Sequence, residues 1–441
     1  MADKQNNIIE KLEECKHYDK DNRFMAAKDL CYEMLKSNQS FDETLERRIC
    51  QSFIGHLEDS SMDVQSNAVN CIQKVSGHIR ESNLLMILEK LVDMVLSGKK
   101  ETIDINSIAI RSSFNEVSDT SAENVIRKIQ PKLQQGLTSK DPVIKETCLE
   151  IMAEMFKRFN VTLYRQQNVL NKEDLMRKLP DMLLDQSESI RKKATICIGA
   201  FAIVLTARQL DQLCNSLCNR IRNSNNKAET LTLIQCIGHM SRTVGQKLGP
   251  FIGNLYPVLE NSFQGLNKEQ SVDMDNALVE ASFSSFENLI KRCPKEISPY
   301  VAHILNHGMH LLSYDPNYTY SDANEDMGEE EEGGWGSDYE DNDMAGEDDD
   351  DTSWKVRQAA AKTIEALIVS RPELLREFYE KSAIVLVDRI KERDDNVKVA
   401  VLNAFSALLK STILSSTNIT VESLLTNQPS LQSQRSSADA L

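Results

Sequence analysis

One apolar stripe recurs along this chain at a fixed spacing, and it restricts the fold more than any other feature. From an apolar start the stripe steps +4, +7, +8 and +11. Val64 leads to Ala68, Cys71, Ile72 and Val75, and Ile144 to Cys148, Ile151, Met152 and Met155. Ile190 leads to Ala194, Cys197, Ile198 and Phe201, and Val397 to Val401, Ala404, Phe405 and Leu408. Val356 gives Ala360, Thr363, Ile364 and Leu367, with one polar member. These offsets follow one face of a 3.6-residue helix. Small residues at +4 suit close helix approach. The starts Val64, Ile105, Ile144 and Ile190 are 41, 39 and 46 residues apart, and Val356 and Val397 are 41 apart. The copy at Ile105 weakens after Ala109, and residues 225–290 keep the spacing irregularly.

Upstream of the stripes lie helix-capping residues: Asp63, Asp141-Pro142, Ser189, Ser353 and Asp395. Their side chains can accept from the free N–H groups of a first helical turn, and proline suits the first helical position. Before each turn runs a second apolar helix, such as 125–137 or 378–390. The unit is therefore helix A, short turn, helix B, and eight or nine units fit the chain. No segment keeps a period of two, so strands are not expected. A period of about 40 with two helices is that of HEAT and armadillo repeats. A lone pair cannot bury both faces, so neighbours must stack. The expected fold is all-α, a HEAT-repeat α-solenoid, that is, a superhelix of antiparallel helix pairs whose concave wall holds another macromolecule.

Residues 322–351 hold sixteen Asp and Glu and no Lys or Arg. The whole chain has 67 acids and 51 bases, so the rest is formally neutral. Such a run repels itself and offers little apolar surface, so it is expected as a disordered acidic insertion in a helical array. It reads either as a solvated linker or as an electrostatic tether for a basic partner surface. The expected organisation is a repeat array over 1–313 (about seven repeats), an acidic loop over 314–353, further repeats over 354–410 and a disordered polar tail over 411–441.

Composition narrows the chemistry. Residues 1–10 lack the apolar core of a signal peptide, and the longest apolar run, 196–207, is too short to span a bilayer of about 30 Å. Overall acidity without a dense basic stripe argues against nucleic acid. Ten cysteines form no Cys-x-x-Cys pair, which suggests reduced thiols in the cytosol or nucleus. Cys71, Cys148 and Cys197 sit on the stripe as small core residues. Cys214 and Cys218, one turn apart, lack a second ligand pair at zinc spacing. His303, His307 and His310 share a helix face without a zincin glutamate. Phosphate loops, nucleophile elbows and kinase signatures are missing from the sequence, and a flexible acidic run cannot hold two carboxylates in catalytic geometry. A non-enzymatic protein without cofactor, metal or small-molecule substrate is expected.

Certain runs resemble a known family. They are Asp19-Lys20-Asp21-Asn22-Arg23-Phe24-Met25-Ala26, Glu150-Ile151-Met152-Ala153-Glu154-Met155 and Ile234-Gln235-Cys236-Ile237. With them go Lys291-Arg292-Cys293-Pro294-Lys295-Glu296, Tyr314-Asp315-Pro316-Asn317-Tyr318, the acidic stretch, Ser353-Trp354-Lys355-Val356-Arg357 and Ala359-Ala360-Ala361-Lys362. Over about 8–410 the chain resembles the N-terminal portion of the cullin-associated and neddylation-dissociated family. The resemblance implies a scaffold that binds an unneddylated cullin with its RING-box subunit, covers the cullin lysine that accepts the modifier, and so regulates assembly and neddylation of cullin–RING ubiquitin ligases. Family members continue for many repeats beyond the polar tail and use that later arm to displace the adaptor. Adaptor displacement is therefore not expected of this chain. Cytoplasmic and nuclear localisation and a monomeric unbound state go with this reading. Helix B lines the inner wall of such solenoids, so its solvent-facing basic positions Arg191, Lys192, Lys355, Arg357 and Lys398 are the expected contacts. The alternatives are an importin-β-like transport receptor, which also combines HEAT repeats with an acidic loop before a Trp-containing helix, and a generic HEAT scaffold.

Overall fold

The computed structural model describes residues 2–36, 41–263, 275–314 and 352–426. The acidic block and the end of the tail lie outside the described residues. Among the described residues there are helices and no strand. They form two compact units, residues 1–247 and 248–441.

In the first unit α1 (Ala2–Glu14) pairs with α2 (Lys20–Lys36), α3 (Glu43–His56) with α4 (Met62–Val75), and α5 (Glu81–Leu96) with α6 (Ile103–Glu116). Next come α7 (Ala122–Gly136) with α8 (Pro142–Arg158), then the short α9 (Asn160–Arg165). Two further pairs follow, α10 (Lys172–Met182) with α11 (Glu188–Ile203) and α12 (Ala207–Asn223) with α13 (Lys227–Val244). In the second unit α14 (Ile252–Glu260) pairs with α15 (Asn276–Arg292), α16 (Val301–Leu312) with α17 (Ser353–Ser370), and α18 (Leu375–Asp388) with α19 (Asp395–Thr426). Within each unit the second helix of a pair, helix B, packs on helix B of the next pair, as α4 on α6, α8 on α11 and α17 on α19. Each unit is thus a stack of HEAT-type helix pairs.

The stripe forms the core. Val64, Ala68, Ile72 and Val75 are fully buried, as are Cys148, Ile151, Met152 and Met155, and Ala194, Cys197, Ile198 and Phe201. Thr363, the polar member, satisfies its hydroxyl by donating to the carbonyls of Ala359 (2.8 Å) and Phe283 (3.0 Å). Capping follows the expected chemistry only in part: α4 and α17 have no side-chain cap, Asp63 lying within the first turn of α4 and Ser353, the first residue of α17, accepting from Arg357 instead. Asp141 accepts from Val143 N–H (2.9 Å) as expected, but Ser187, not Ser189, caps α11, and Asp394, not Asp395, accepts from the N–H groups of Asn396 and Val397.

Several expectations are corrected. The stripe of α6 starts at Ile103, not Ile105, and continues through Ser107, Ile110 and Phe114, all buried. The irregular stretch 225–290 contains two ordinary helices B. In α13 the stripe is Leu233, Cys236, Ile237 and Met240 behind a polar Glu229, and in α15 it is Leu278, Ser282, Ser285, Phe286 and Leu289. The long interval before Ile190 has a physical cause in α9. This extra turn is pinned by the buried Lys172, whose ammonium donates to Leu163 O (2.8 Å), Val204 O (2.8 Å) and Gln167 Oε1 (3.1 Å). Burial alone holds that ammonium below the usual lysine range. The tail is helical further than expected. α19 runs to Thr426 because residues 395–426 contain no Gly or Pro to interrupt the i→i−4 hydrogen bonds. Finally, α16 packs directly on α17, so residues 313–352, with the acidic block, connect the two helices of one pair.

Candidate interaction surface

The turns between helices A and B are joined to the preceding pair by ion pairs. Arg23 in α2 makes a two-pronged contact with Asp59 in the α3–α4 turn, Nε to Oδ2 at 2.7 Å and Nη2 to Oδ1 at 2.8 Å. Its other amine donates to the carbonyls of His17 and Tyr18. Lys145 in α8 reaches Asp185 in the α10–α11 turn at 2.8 Å. Arg357 in α17 reaches Glu392 beside the α18–α19 turn at 3.0 Å, with both side chains 1% exposed. Asp59 and Asp185 also cap their own turns by accepting from Ser61 and Ser187 N–H. A basic residue early in one helix B therefore holds the next turn, a rung repeated in both units.

Arg23 holds the Asp59 carboxyl below the usual carboxylate range, and the pair is largely shielded from water. A lowered folded pKa stabilises the protein at pH above the unfolded value of about 3.9, and this is lost as pH falls through the folded value. Asp59→Asn should therefore lower the urea midpoint at pH 7 and change it little at pH 2. An equal loss at both pH values would contradict the charge-pairing role.

The rungs account for several residues expected as contacts. Arg357 is fully buried, so it is not a solvent-facing position: its guanidinium is consumed by Glu392, Ser353 Oγ (2.8 Å) and Tyr314 O (3.1 Å). Arg191 is half-buried and donates to Asp185 O (2.9 Å) and Gln186 O (3.0 Å), fastening its own turn. Lys192, with 71% of its side chain exposed, pairs at 2.7 Å with Glu188 one helical turn away. Lys355 is exposed, its ammonium 5.6 Å from the centre of the Trp354 ring. Lys398 meets Asp395 at 3.3 Å at the surface. The expectation missed exposed apolar side chains of helices B, among them Met25, Tyr32, Ile108 and Ile196 in the first unit and Val369, Leu402 and Leu409 in the second. No sequence signal separates them from core residues, because they lie only one or two positions off the stripe.

The remaining candidates are structural. All ten cysteines are buried. Burial pushes the thiols of Cys50, Cys148 and Cys214 up to about 12, so they stay protonated and unreactive. The three histidines diverge: His303 and His310 are exposed, whereas His307 packs edge-on to Phe263 at 4.9 Å and is held below its usual range by burial. No group of His, Cys, Asp or Glu among the described residues could hold a metal ion. No described helix is long and apolar enough to cross a membrane.

Stacked helix pairs, a turn-to-pair ladder and an exposed helix B side define a HEAT-repeat α-solenoid. Solved structures agree in fold: importin β in an ammonium sulfate condition (TM-score 0.54, 13% identity, 91% of this chain and 47% of that one) and the Kap95:Nup1 complex (TM-score 0.56, 11% identity, 95% and 49%). At that identity the likeness concerns the fold alone. No family model matches the chain. Sequence relatives are more specific. Cullin-associated NEDD8-dissociated protein 1 of Arabidopsis thaliana is 35% identical over 397 residues, covering 89% of this chain and 32% of the relative. Its namesake from Drosophila melanogaster is 31% identical over 415 residues, covering 92% and 32%. A relative from Emericella nidulans named as the N-terminal part of that protein is 22% identical over 302 residues, and the chain covers 86% of it. The chain is a homologue of the cullin-associated NEDD8-dissociated proteins and spans about a third of the length of the first two.

Proposed function

We propose that this chain is a non-catalytic scaffold that binds an unneddylated cullin with its RING-box subunit and slows attachment of NEDD8 to it. The observation that carries this reading is the extent of homology: relatives 30–35% identical over about nine-tenths of the chain bear the name cullin-associated. Helix stacks support it by offering a large rigid area, over which contact with one macromolecule can be spread. Cytoplasm and nucleus, where cullin ligases act, are the proposed locations, and the unbound chain is proposed to be a monomer. The contacts proposed are the exposed ammonium groups of Lys192, Lys355 and Lys398, with a lesser part for the half-buried Arg191. Surface charges of this kind act mainly on association rate.

A neddylation time course with the purified chain in excess over the cullin–RING-box complex tests the reading. Modifier transfer should slow several-fold, a cullin already carrying NEDD8 should not be bound, and the adaptor should stay in place. Unaltered transfer with a folded chain would overturn the proposal. An importin-β-like receptor would instead be retained by GTP-loaded Ran in a parallel pull-down.

A further inference from the structure

The exposed face of α12 is built differently from those of the two helices A before it. α7 and α10 spend theirs on ion pairs: Glu123 holds Arg127 at 2.7 Å, Lys128 reaches Glu89 of α5 at 3.0 Å, and Asp174 takes both Arg177 and Lys178. Along α12 the residues at i, i+4, i+7 and i+11 are Gln212, Ser216, Asn219 and Asn223, with no charge among them. At 100° per residue the four fall within about 60° of one another, opposite the buried Leu210, Leu217 and Ile221. With Asn215 they line a shallow groove of about 670 Å³, whose apolar lining is Leu184 of the α10–α11 turn and Leu233 of α13.

Polar groups along that line are largely uncommitted. Among the described residues Gln212, Ser216 and Asn223 have no hydrogen-bond partner, and Asn219 uses only its oxygen, which accepts from Arg222 (3.2 Å). The two charged side chains of the lining are engaged: Arg220 donates to Asp181 at 2.6 Å, and Glu229 accepts from Ser224 at 3.2 Å. What the groove offers is therefore carboxamides, each with an N–H donor beside a C=O acceptor. A peptide unit presents the complementary pair. The spacing matches as well. Asn215, Asn219 and Asn223 recur every four residues, about 6 Å along the helix, against about 6.6 Å for two residues of an extended chain. From Gln212 to Asn223 is about 16 Å, the length of about five extended residues.

We propose that this groove binds an uncharged, extended segment of another protein by its main chain. The carboxamides of Gln212, Asn219 and Asn223 pair with successive peptide units, and the 38%-exposed Leu184 meets one of the alternate side chains. Main-chain hydrogen bonds then supply the affinity, and side chains add modest selectivity. A helical occupant does not fit, since a helix satisfies its own main-chain groups. A charged segment or a nucleic acid does not fit either, because the charges at the groove are already engaged and its ladder is neutral. None of the lining residues is among the contacts proposed for a cullin, so this inference stands apart from that reading.

The probe is a pool of capped seven-residue peptides made only of Ser, Thr, Ala, Val and Leu, selected on the immobilised full chain. The most retained peptide is then resynthesised and titrated against the chain in solution. One-to-one binding is expected. The triple substitution Gln212→Ala, Asn219→Ala, Asn223→Ala should weaken it at least about 100-fold, each lost pairing being worth about 5- to 10-fold. All three sites are exposed, so the helical circular dichroism of the chain should not change. Methylating alternate peptide nitrogens of the probe should abolish binding by removing N–H donors, whereas exchanging its serines for alanine should matter little. Failure to retain any peptide, undiminished binding by the triple variant, or binding that survives N-methylation would each overturn the proposal.

Discussion

Replacing Glu392 with alanine should cost the second unit about 3–5 kcal/mol, the loss expected when one partner of a buried ion pair is removed and the other is left charged. Arg357 would keep Ser353 Oγ and Tyr314 O but lose both carboxylate contacts (3.0 and 3.2 Å) in a site 1% exposed. Glu392 also accepts from Arg393 N–H (3.0 Å), so the turn leading into α19 should loosen with it. The double substitution Arg357→Met, Glu392→Leu should recover most of the loss, since matched apolar replacements of a buried pair are often neutral. Urea unfolding followed by tryptophan emission is suitable, because Trp335 and Trp354 both belong to the second unit's sequence. A cost below about 1 kcal/mol for Glu392→Ala would mean that water reaches the pair and the rung is ornamental.

That rung also shows what the sequence could and could not disclose. The position after a stripe start, often basic or polar (Gln65, Lys145, Arg191, Arg357, Lys398), is visible in the sequence, and so are the stripe, its period and the helix–turn–helix unit, because all depend on local spacing. Whether the base at that position faces solvent depends on an acidic residue 35 to 40 positions later, as Arg357 on Glu392 and Lys145 on Asp185. No local pattern carries that information, so Arg357 looked like Lys192. Polar stripe members hid two helices for a related reason. Glu229 in α13 and Ser282 and Ser285 in α15 break the hydrophobic count without breaking the helix, since serine can return its hydroxyl to a carbonyl four residues back, as Ser285 does to Ala281. Likewise, the polar composition of residues 411–426 suggested a loose tail, but helix continuation needs only residues that do not interrupt it.

Ile198→Asp should be the most damaging single change to the first unit, costing on the order of 4 kcal/mol or more. The side chain is fully buried in α11, which packs against both α8 and α13, so no rotamer brings a carboxylate to water. The introduced acid should remain protonated well above its ordinary range, because burial penalises its charged form. A raised folded pKa means the destabilisation grows as pH rises above about 4 and shrinks as pH falls toward it. Phe405→Asp occupies the same +8 position of α19, but there the parent ring is half-exposed and the new charge can be solvated, so it should cost far less. Stacked pairs couple mainly to their neighbours, so Ile198→Asp should melt the first unit at a denaturant concentration where tryptophan emission from the second is still native. Hydrogen exchange resolved by peptide would locate the lost protection in α8, α11 and α13. One transition shared by every peptide and by the tryptophans would show the chain to be a single cooperative body and remove the basis for treating its pairs as separable.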